Sequence, residues 1–318
     1  MKHNLKIIFI LLTMFLLTQF IGIYVVNHYL SEDNELPFGL HTPEIEKESD
    51  YRSFFYIILF AFAIAIFLLF ILTKIKAQFI LKAWFFIVVT LALGIALNSF
   101  FSINYSAWIA LAIALPLAFF KIFQRNFLVH NATELLIYPG IAVIFIPILN
   151  FWTILVLLIL ISVYDMWAVW HSGIMQKMAK YQINKLKIFS GFFVPYMSKK
   201  MRLKLKKMKK TLTKSKLKKK KIRINVAILG GGDVVFPIIA MGVILHSASK
   251  GTLPQFLSHL AKPLFGIPGL VAALFVIAGA TLGLSYLFFF SEKKKFYPAM
   301  PFITGGIILG MVLSYLIL

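Results

Sequence analysis

Along the 318 residues, long apolar runs alternate with short polar breaks. A helix that crosses the hydrocarbon layer needs about 20 predominantly apolar residues. Nine runs meet or approach that length: 5–26, 53–73, 83–101, 106–120, 127–149, 151–170, 224–245, 265–290 and 299–318. The pattern predicts an all-α, polytopic membrane protein with nine transmembrane helices. The first run follows Lys2 and contains Lys6, as a signal peptide would. It is long for that role, and no small-x-small cleavage site follows, so it is read as a retained anchor. The fourth run is short and contains Pro116. Pro147 and Asn150 mark a tight turn between the fifth and sixth. Three segments result: 1–170 with helices one to six, a loop at 171–223, and 224–318 with helices seven to nine.

Composition agrees with a membrane protein. Apolar residues make up 60% and charged residues 14%, where a soluble domain has about half and a quarter. The chain has no cysteine, which excludes disulfides, thiolate zinc sites and cysteine nucleophiles. The net charge of +22 is concentrated: 19 of the 33 Lys and Arg lie between His171 and Arg223, with no acid among them. That leaves 14 basic residues against 11 acidic elsewhere. A basic loop beside transmembrane spans fits a cytoplasmic loop near anionic lipid, and no folded module of the kind that reads nucleic acid is visible. Residues 171–197 are amphipathic and predict an interfacial helix. Residues 198–221 are too charged to pack. Lys74, Lys76 and Lys82, Lys121 and Arg125, and Lys293, Lys294 and Lys295 fall in loops of the same side. Seven of the eleven acids lie in the opposite loop, 27–52. The expectation is a cytoplasmic amino terminus and an outside carboxyl terminus.

Four acids remain. Glu292 sits at a membrane boundary among lysines. Glu134, in "HNATELLIYPG", has a structural reading: it snorkels or pairs with Arg125 or His130. Asp165, in "ILISVYDMWAVW", and Asp233, in "LGGGDVV", lie within spans. A carboxylate there costs several kcal/mol and marks a functional site by default. Helix rise places Asp165 about 8 Å from Trp170 and Asp233 about 13 Å from Ile224. No Lys or Arg lies on either span to pair with them. Two close carboxylates without a cation keep one proton between them. Aspartic hydrolysis uses such a pair: one carboxylate takes a proton from water while the protonated one polarises the carbonyl. Gly230, Gly231 and Gly232 weaken a helix but permit close backbone approach or tight helix packing. Pro298 and Pro301 bracket Ala299 and Met300. They either start a helix or hold an extended segment whose backbone can pair with an unfolded substrate. "KIRINV" alternates Ile222, Ile224 and Val226 as a short strand would. The seven histidines are scattered, so neither a metal nor a cofactor is expected.

In this order, "YD" at Tyr164 and Asp165, "GGGD" at residues 230–233 and "PAMP" at residues 298–301 resemble the YD, GxGD and PAL motifs of presenilins and signal peptide peptidases. The resemblance spans the whole chain, because nine helices with a long loop after the sixth are that family's plan. It is similar to a microbial, archaeal-type presenilin homologue, which implies the cell membrane of a prokaryote. The resemblance implies an intramembrane aspartyl protease whose catalytic pair is Asp165 and Asp233. It implies substrate-positioning roles for Tyr164, for Gly230 and Gly232 with Gly231 between them, and for Pro298, Ala299, Met300 and Pro301. Met300 replaces the family's leucine. The implied partners are transmembrane segments of substrate proteins, with anionic lipid at the basic loop. Two other readings use the same acids: a cation or proton channel or carrier, for which the proline motif is not required, and a prepilin-type peptidase, which usually carries a cysteine zinc domain.

Overall fold

A computed structural model of the chain describes residues 5–31, 34–43, 45, 47–75, 77–101, 105–124, 126–172, 188–196, 225–292 and 297–317. Among them, nine helices are long and apolar enough to cross a membrane. They are α1 (Leu5–Leu30), α2 (Glu48–Lys74), α3 (Gln78–Asn98), α4 (Ser106–Phe123), α5 (Phe127–Phe145), α6 (Phe151–Trp167), α7 (Gly231–Ser249), α8 (Leu270–Phe290) and α9 (Met300–Ile317). The α4 helix runs on through Pro116. A 3₁₀ turn, Ile146–Ile148, separates α5 from α6. Asn150 and Thr153 cap α6 reciprocally: Thr153 N–H donates to Asn150 Oδ1 at 2.9 Å, and Asn150 N–H donates to Thr153 Oγ1 at 2.8 Å.

The seventh apolar run is not helical throughout. Its first described residues form a strand, β2 (Asn225–Gly230), paired antiparallel with β1 (Gly191–Tyr196). Helix α7 starts only at Gly231. Residues 191–196 were expected within an interfacial helix. Phe192, Phe193, Val194 and Tyr196 are instead strand-favouring residues, and β2 supplies their partner. Ile222, Ile224, residues 173–187 and residues 198–221 lie outside the described residues, so only Val226 of the predicted alternation falls on β2. The eighth helix begins at Leu270, later than expected, because a small antiparallel pair, Pro263–Leu264 with Ile267–Pro268, turns the chain first.

Helix α7 is the axis of the bundle. Its apolar window is 72% buried, against 6% for the peripheral α2. The neighbours α1, α5, α6 and α8 pack around it, and Val234, Ile238, Met241 and Leu245 are fully enclosed. Lipid is as apolar as leucine, so packing and polar cross-links must hold such helices together. Both are present. Gln19 Nε2 of α1 donates to Val234 O of α7 at 3.1 Å. Ser162 of α6 and Thr304 of α9 join hydroxyls at 2.8 Å. The α8 and α9 helices cross backbone to backbone, so that a Cβ on Gly279 would overlap the Gly306 carbonyl and one on Gly306 would overlap that of Gly279.

This last contact predicts a stability effect. Gly279→Val forces two backbones apart with no flexible side chain to yield. It should lower stability by about 1–3 kcal/mol, read as a lower Tm in detergent. The exposed Leu282→Val on the same helix should leave the Tm nearly unchanged.

Candidate active site

Three chain segments meet at the end of the bundle that carries β1 and β2: the last turns of α6, the strand-to-helix switch into α7, and the start of α9. Asp165 comes from the first and is buried, with 5% exposure. A π-helical turn, Ala168–Ser172, follows α6 directly. Asp233 comes from the second and is half-buried. The two carboxylates are near enough for the Asp165 charge to bear on Asp233.

Each carboxylate sits at a helix amino terminus. The Ala299 carbonyl accepts from Ile303 N–H at 3.1 Å, so Ala299 caps α9 and Met300 is its first residue. The Met300 N–H has no partner within the helix and donates to Asp165 Oδ2 at 3.1 Å. The Ala299 amide lies beside the same carboxylate. Asp233 is in the first turn of α7, and its carboxylate turns back on the Gly230 backbone, as an acid at the third helical position does in a capping box.

The glycines have separate reasons. A Cβ on Gly230 would lie 3.1 Å from Asp233 Oδ2, so glycine leaves room for that carboxylate. A Cβ on Gly231 would lie 2.7 Å from Ser190 Oγ and 2.9 Å from the Tyr138 hydroxyl. Gly232 is exposed, and a Cβ there would make only ordinary contact with Phe236 at 3.8 Å. The sterically demanding position is therefore the middle one. None of the three interrupts a helix, as had been expected, because they stand where the strand ends and the helix begins. The depth of Asp233 reckoned by helix rise from Ile224 is likewise replaced: Asp233 is in the first turn.

The other expected positions divide. Pro298 is buried and Ala299 half-buried, both outside α9. Met300, with 3% exposure, and Pro301 lie in its first turn. Only the front of the motif is non-helical. The Tyr164 ring packs edge-on against Phe62 of α2 at 6.4 Å. Among the described residues, no three His, Asp or Glu side chains gather as a metal-binding group. A cavity of 630 Å³ lies at the opposite end of the bundle, beside Tyr29, Leu36, His246 and Lys250, and plays no part in this geometry.

Three residues of this region have roles that sequence reasoning missed. Gly191 pairs with Gly230 and has φ +140°, a conformation suited to glycine. Asn131 of α5 brackets Phe193 as a strand would: its Nδ2 donates to Phe193 O at 2.9 Å, and its Oδ1 accepts from Phe193 N–H at 3.1 Å. His130 Nε2 lies 2.8 Å from Gly191 O. Glu134 was expected to pair with Arg125 or His130. Its main partner is Lys121 of α4, with His130 Nε2 at 3.4 Å; Arg125 lies outside the described residues. The polar spacing of His130, Glu134 and Tyr138, one every four residues, was the available signal.

Fold and site define a polytopic membrane protein with two intramembrane carboxylates at one end of a helical bundle. Residues 12–318 match the sequence profile of the family described as signal-peptide peptidase, presenilin aspartyl protease. The chain belongs to this family of intramembrane aspartic proteases. Its fold is similar to a presenilin family intramembrane aspartate protease solved in a C222 crystal form, at 20% identity and TM-score 0.57, covering 98% of this chain and 99% of that one. It is equally similar to one solved in a P2 form, at 19% identity and TM-score 0.57, with 97% of each chain covered. No curated protein matches the sequence.

Gly191 generates a prediction. Gly191→Ala meets both the positive φ and the Leu229 carbonyl. Strain of about 1–3 kcal/mol should loosen β1 from β2, seen as faster limited proteolysis of the hairpin and slower substrate cleavage.

Proposed function

We propose that Asp165 and Asp233 form the catalytic dyad of this intramembrane protease and share one proton in the resting state. The observation that carries this reading is the Met300 N–H bond to Asp165, which brings the third motif onto the first while Asp233 lies within the same field. The charged carboxylate takes a proton from a water molecule as its oxygen attacks the scissile carbonyl carbon. The protonated carboxyl gives its proton to the carbonyl oxygen, forming a tetrahedral diol. Collapse of the diol breaks the C–N bond, and the amine leaves with a proton from the dyad. The Met300 N–H holds one carboxylate in place throughout, since it stays bonded whether Asp165 is charged or neutral.

A substrate helix hides its amide bonds in internal hydrogen bonds, so it must open before water can attack. The unwound segment has an available edge in β2. Val226 and Ile228, 44% and 42% exposed, alternate with buried Ala227 and Leu229, and the strand leads directly into Gly230. Main-chain pairing there accepts many side chains. Residues 298–301 then contribute through Met300 N–H and the turn into α9, with Pro298 kept out of helix. The natural substrates are transmembrane segments. The basic residues of 171–223 lie against anionic lipid and set this end of the bundle in the cytoplasm of a prokaryotic cell, with the carboxyl terminus outside.

Incubation with a detergent-solubilised transmembrane peptide tests the reading. Asp165→Ala and Asp233→Ala should each remove at least about a thousandfold of rate, and the double variant should be no worse, because a dyad acts as a unit. Retained cleavage by either single variant would sink it. Mass spectrometry should place the cuts in the cytoplasmic half of the substrate span. Cuts clustered at the outer end would contradict the strand-addition route.

A further inference from the structure

One buried polar cluster lies outside the dyad. His130, Glu134 and Tyr138 follow one another at four-residue intervals along α5, on one face, with exposures of 7%, 0% and 2%. Lys121 of α4 donates to Glu134 Oε1, and both side chains are almost wholly enclosed. Buried charges within a membrane bundle are costly and need a reason. This cluster runs towards the site. His130 Nε2 donates to Gly191 O at 2.8 Å, while its Nδ1 faces Lys121 Nζ at 3.4 Å, an arrangement that fits the neutral ring protonated at Nε2. At the other end, the Tyr138 hydroxyl faces Glu134, Ser190 and, further off, Asp233. The Tyr138 ring stands edge-on to Phe192 of β1 at 5.8 Å.

Two atoms here are buried without a partner at hydrogen-bond geometry: Glu134 Oε2 and the Tyr138 hydroxyl. An unmade bond to a buried donor or acceptor is expensive, and the Glu134 carboxylate is near enough to bear on the hydroxyl. The place where Tyr138 presses is Gly231, whose missing Cβ would collide with the hydroxyl at 2.9 Å. Gly231 is the first residue of α7, two before Asp233.

We propose that Tyr138 is a positioning residue for Asp233, and that Lys121 and Glu134 back it. The Tyr138 hydroxyl bears on the first turn of α7 and sets the direction in which the Asp233 carboxylate leaves the helix. Glu134, anchored by Lys121, sets the hydroxyl. The proposal rests on the dyad reading, because it matters only if Asp233 must point at Asp165 within a fraction of an ångström.

The test is steady-state cleavage of a detergent-solubilised transmembrane peptide, with Tm recorded for every variant. Tyr138→Phe keeps the ring and its contact with Phe192 and removes only the hydroxyl. Its kcat should fall at least about tenfold while KM moves less than about twofold, because aim rather than binding is lost. Its Tm should hold. Lys121→Met with Glu134→Leu removes both charges together, which a folded bundle tolerates better than removing one. This pair should lower kcat similarly, and adding Tyr138→Phe to it should cause little further loss, as coupled residues do. An unchanged kcat in Tyr138→Phe overturns the proposal, as does a loss that merely tracks a lower Tm. If the charge-pair variant does not fold, Tyr138→Phe alone decides. Asp233→Asn is the separate control: activity there refutes the dyad itself, whereas an inactive Asp233→Asn beside a fully active Tyr138→Phe refutes only the positioning role.

Discussion

Two carboxylates in a bilayer need positive charge nearby, and this chain supplies it from backbone. No Lys or Arg lies on α6 or α7. Asp165 accepts the free N–H at the start of α9, and Asp233 sits in the first turn of α7. Each helix terminus carries roughly half a positive charge. Such a dipole supports a carboxylate without neutralising it, which a lysine would do. The acids therefore stay polar and unpaired, and the Asp165 charge still bears on Asp233. The rest of the bundle must hold these two termini in register. The interlocked glycines of α8 and α9 fix where α9 begins, and the Ser162–Thr304 hydroxyl contact ties α9 to α6 near Asp165.

The strand before α7 follows from the same demand. Had residues 225–230 continued as helix, Asp233 would lie in mid-helix, where the backbone N–H groups are spent on intrahelical bonds. Ending a strand at Gly230 creates a helix start within the membrane and leaves the acid beside it. The strand then needs a partner, because unpaired backbone is not tolerated against lipid. Strand β1 provides one, and α5 covers the outer edge of β1 through Asn131 and His130. Pro195 fits that edge: it has the same outward parity as Phe193, so its lack of N–H costs no ladder bond.

What was legible in the sequence follows from the range of each signal. Helix count, the two isolated acids and the proline motif are local, since hydropathy and charge act within about one span. The switch at Gly230 was hidden because an apolar strand and an apolar helix read alike inside a continuous run. "KIRINV" hinted at period two, yet the described strand starts only at Asn225. Glu134 was noticed, and His130, one of its two expected partners, lies 3.4 Å from it. Its shorter contact was missed, because the turn between α4 and α5 brings Lys121 back over the α5 face. Gly191 gave no sign at all, because its need for a positive φ arises from pairing with a strand some forty residues later.

Edge availability constrains how a substrate can approach. A two-stranded sheet has two free edges, and here α5 side chains occupy one of them at Gly191 and Phe193. The other edge belongs to β2, whose outward residues by the same parity are Val226 and Ile228, with no main-chain partner among the described residues. Exposed strand edges are normally blocked by charge, proline or cover. The described part of β2 carries neither charge nor proline, and it runs straight into Gly230 and Asp233. An edge left open at that point suits an incoming strand better than an incoming helix, because only an extended chain can satisfy its N–H and C=O groups. On the proposed reading, unwinding and positioning are then one event: the residues that leave the substrate helix gain β2 as they lose their own hydrogen bonds, and the next peptide bond along is delivered towards the dyad.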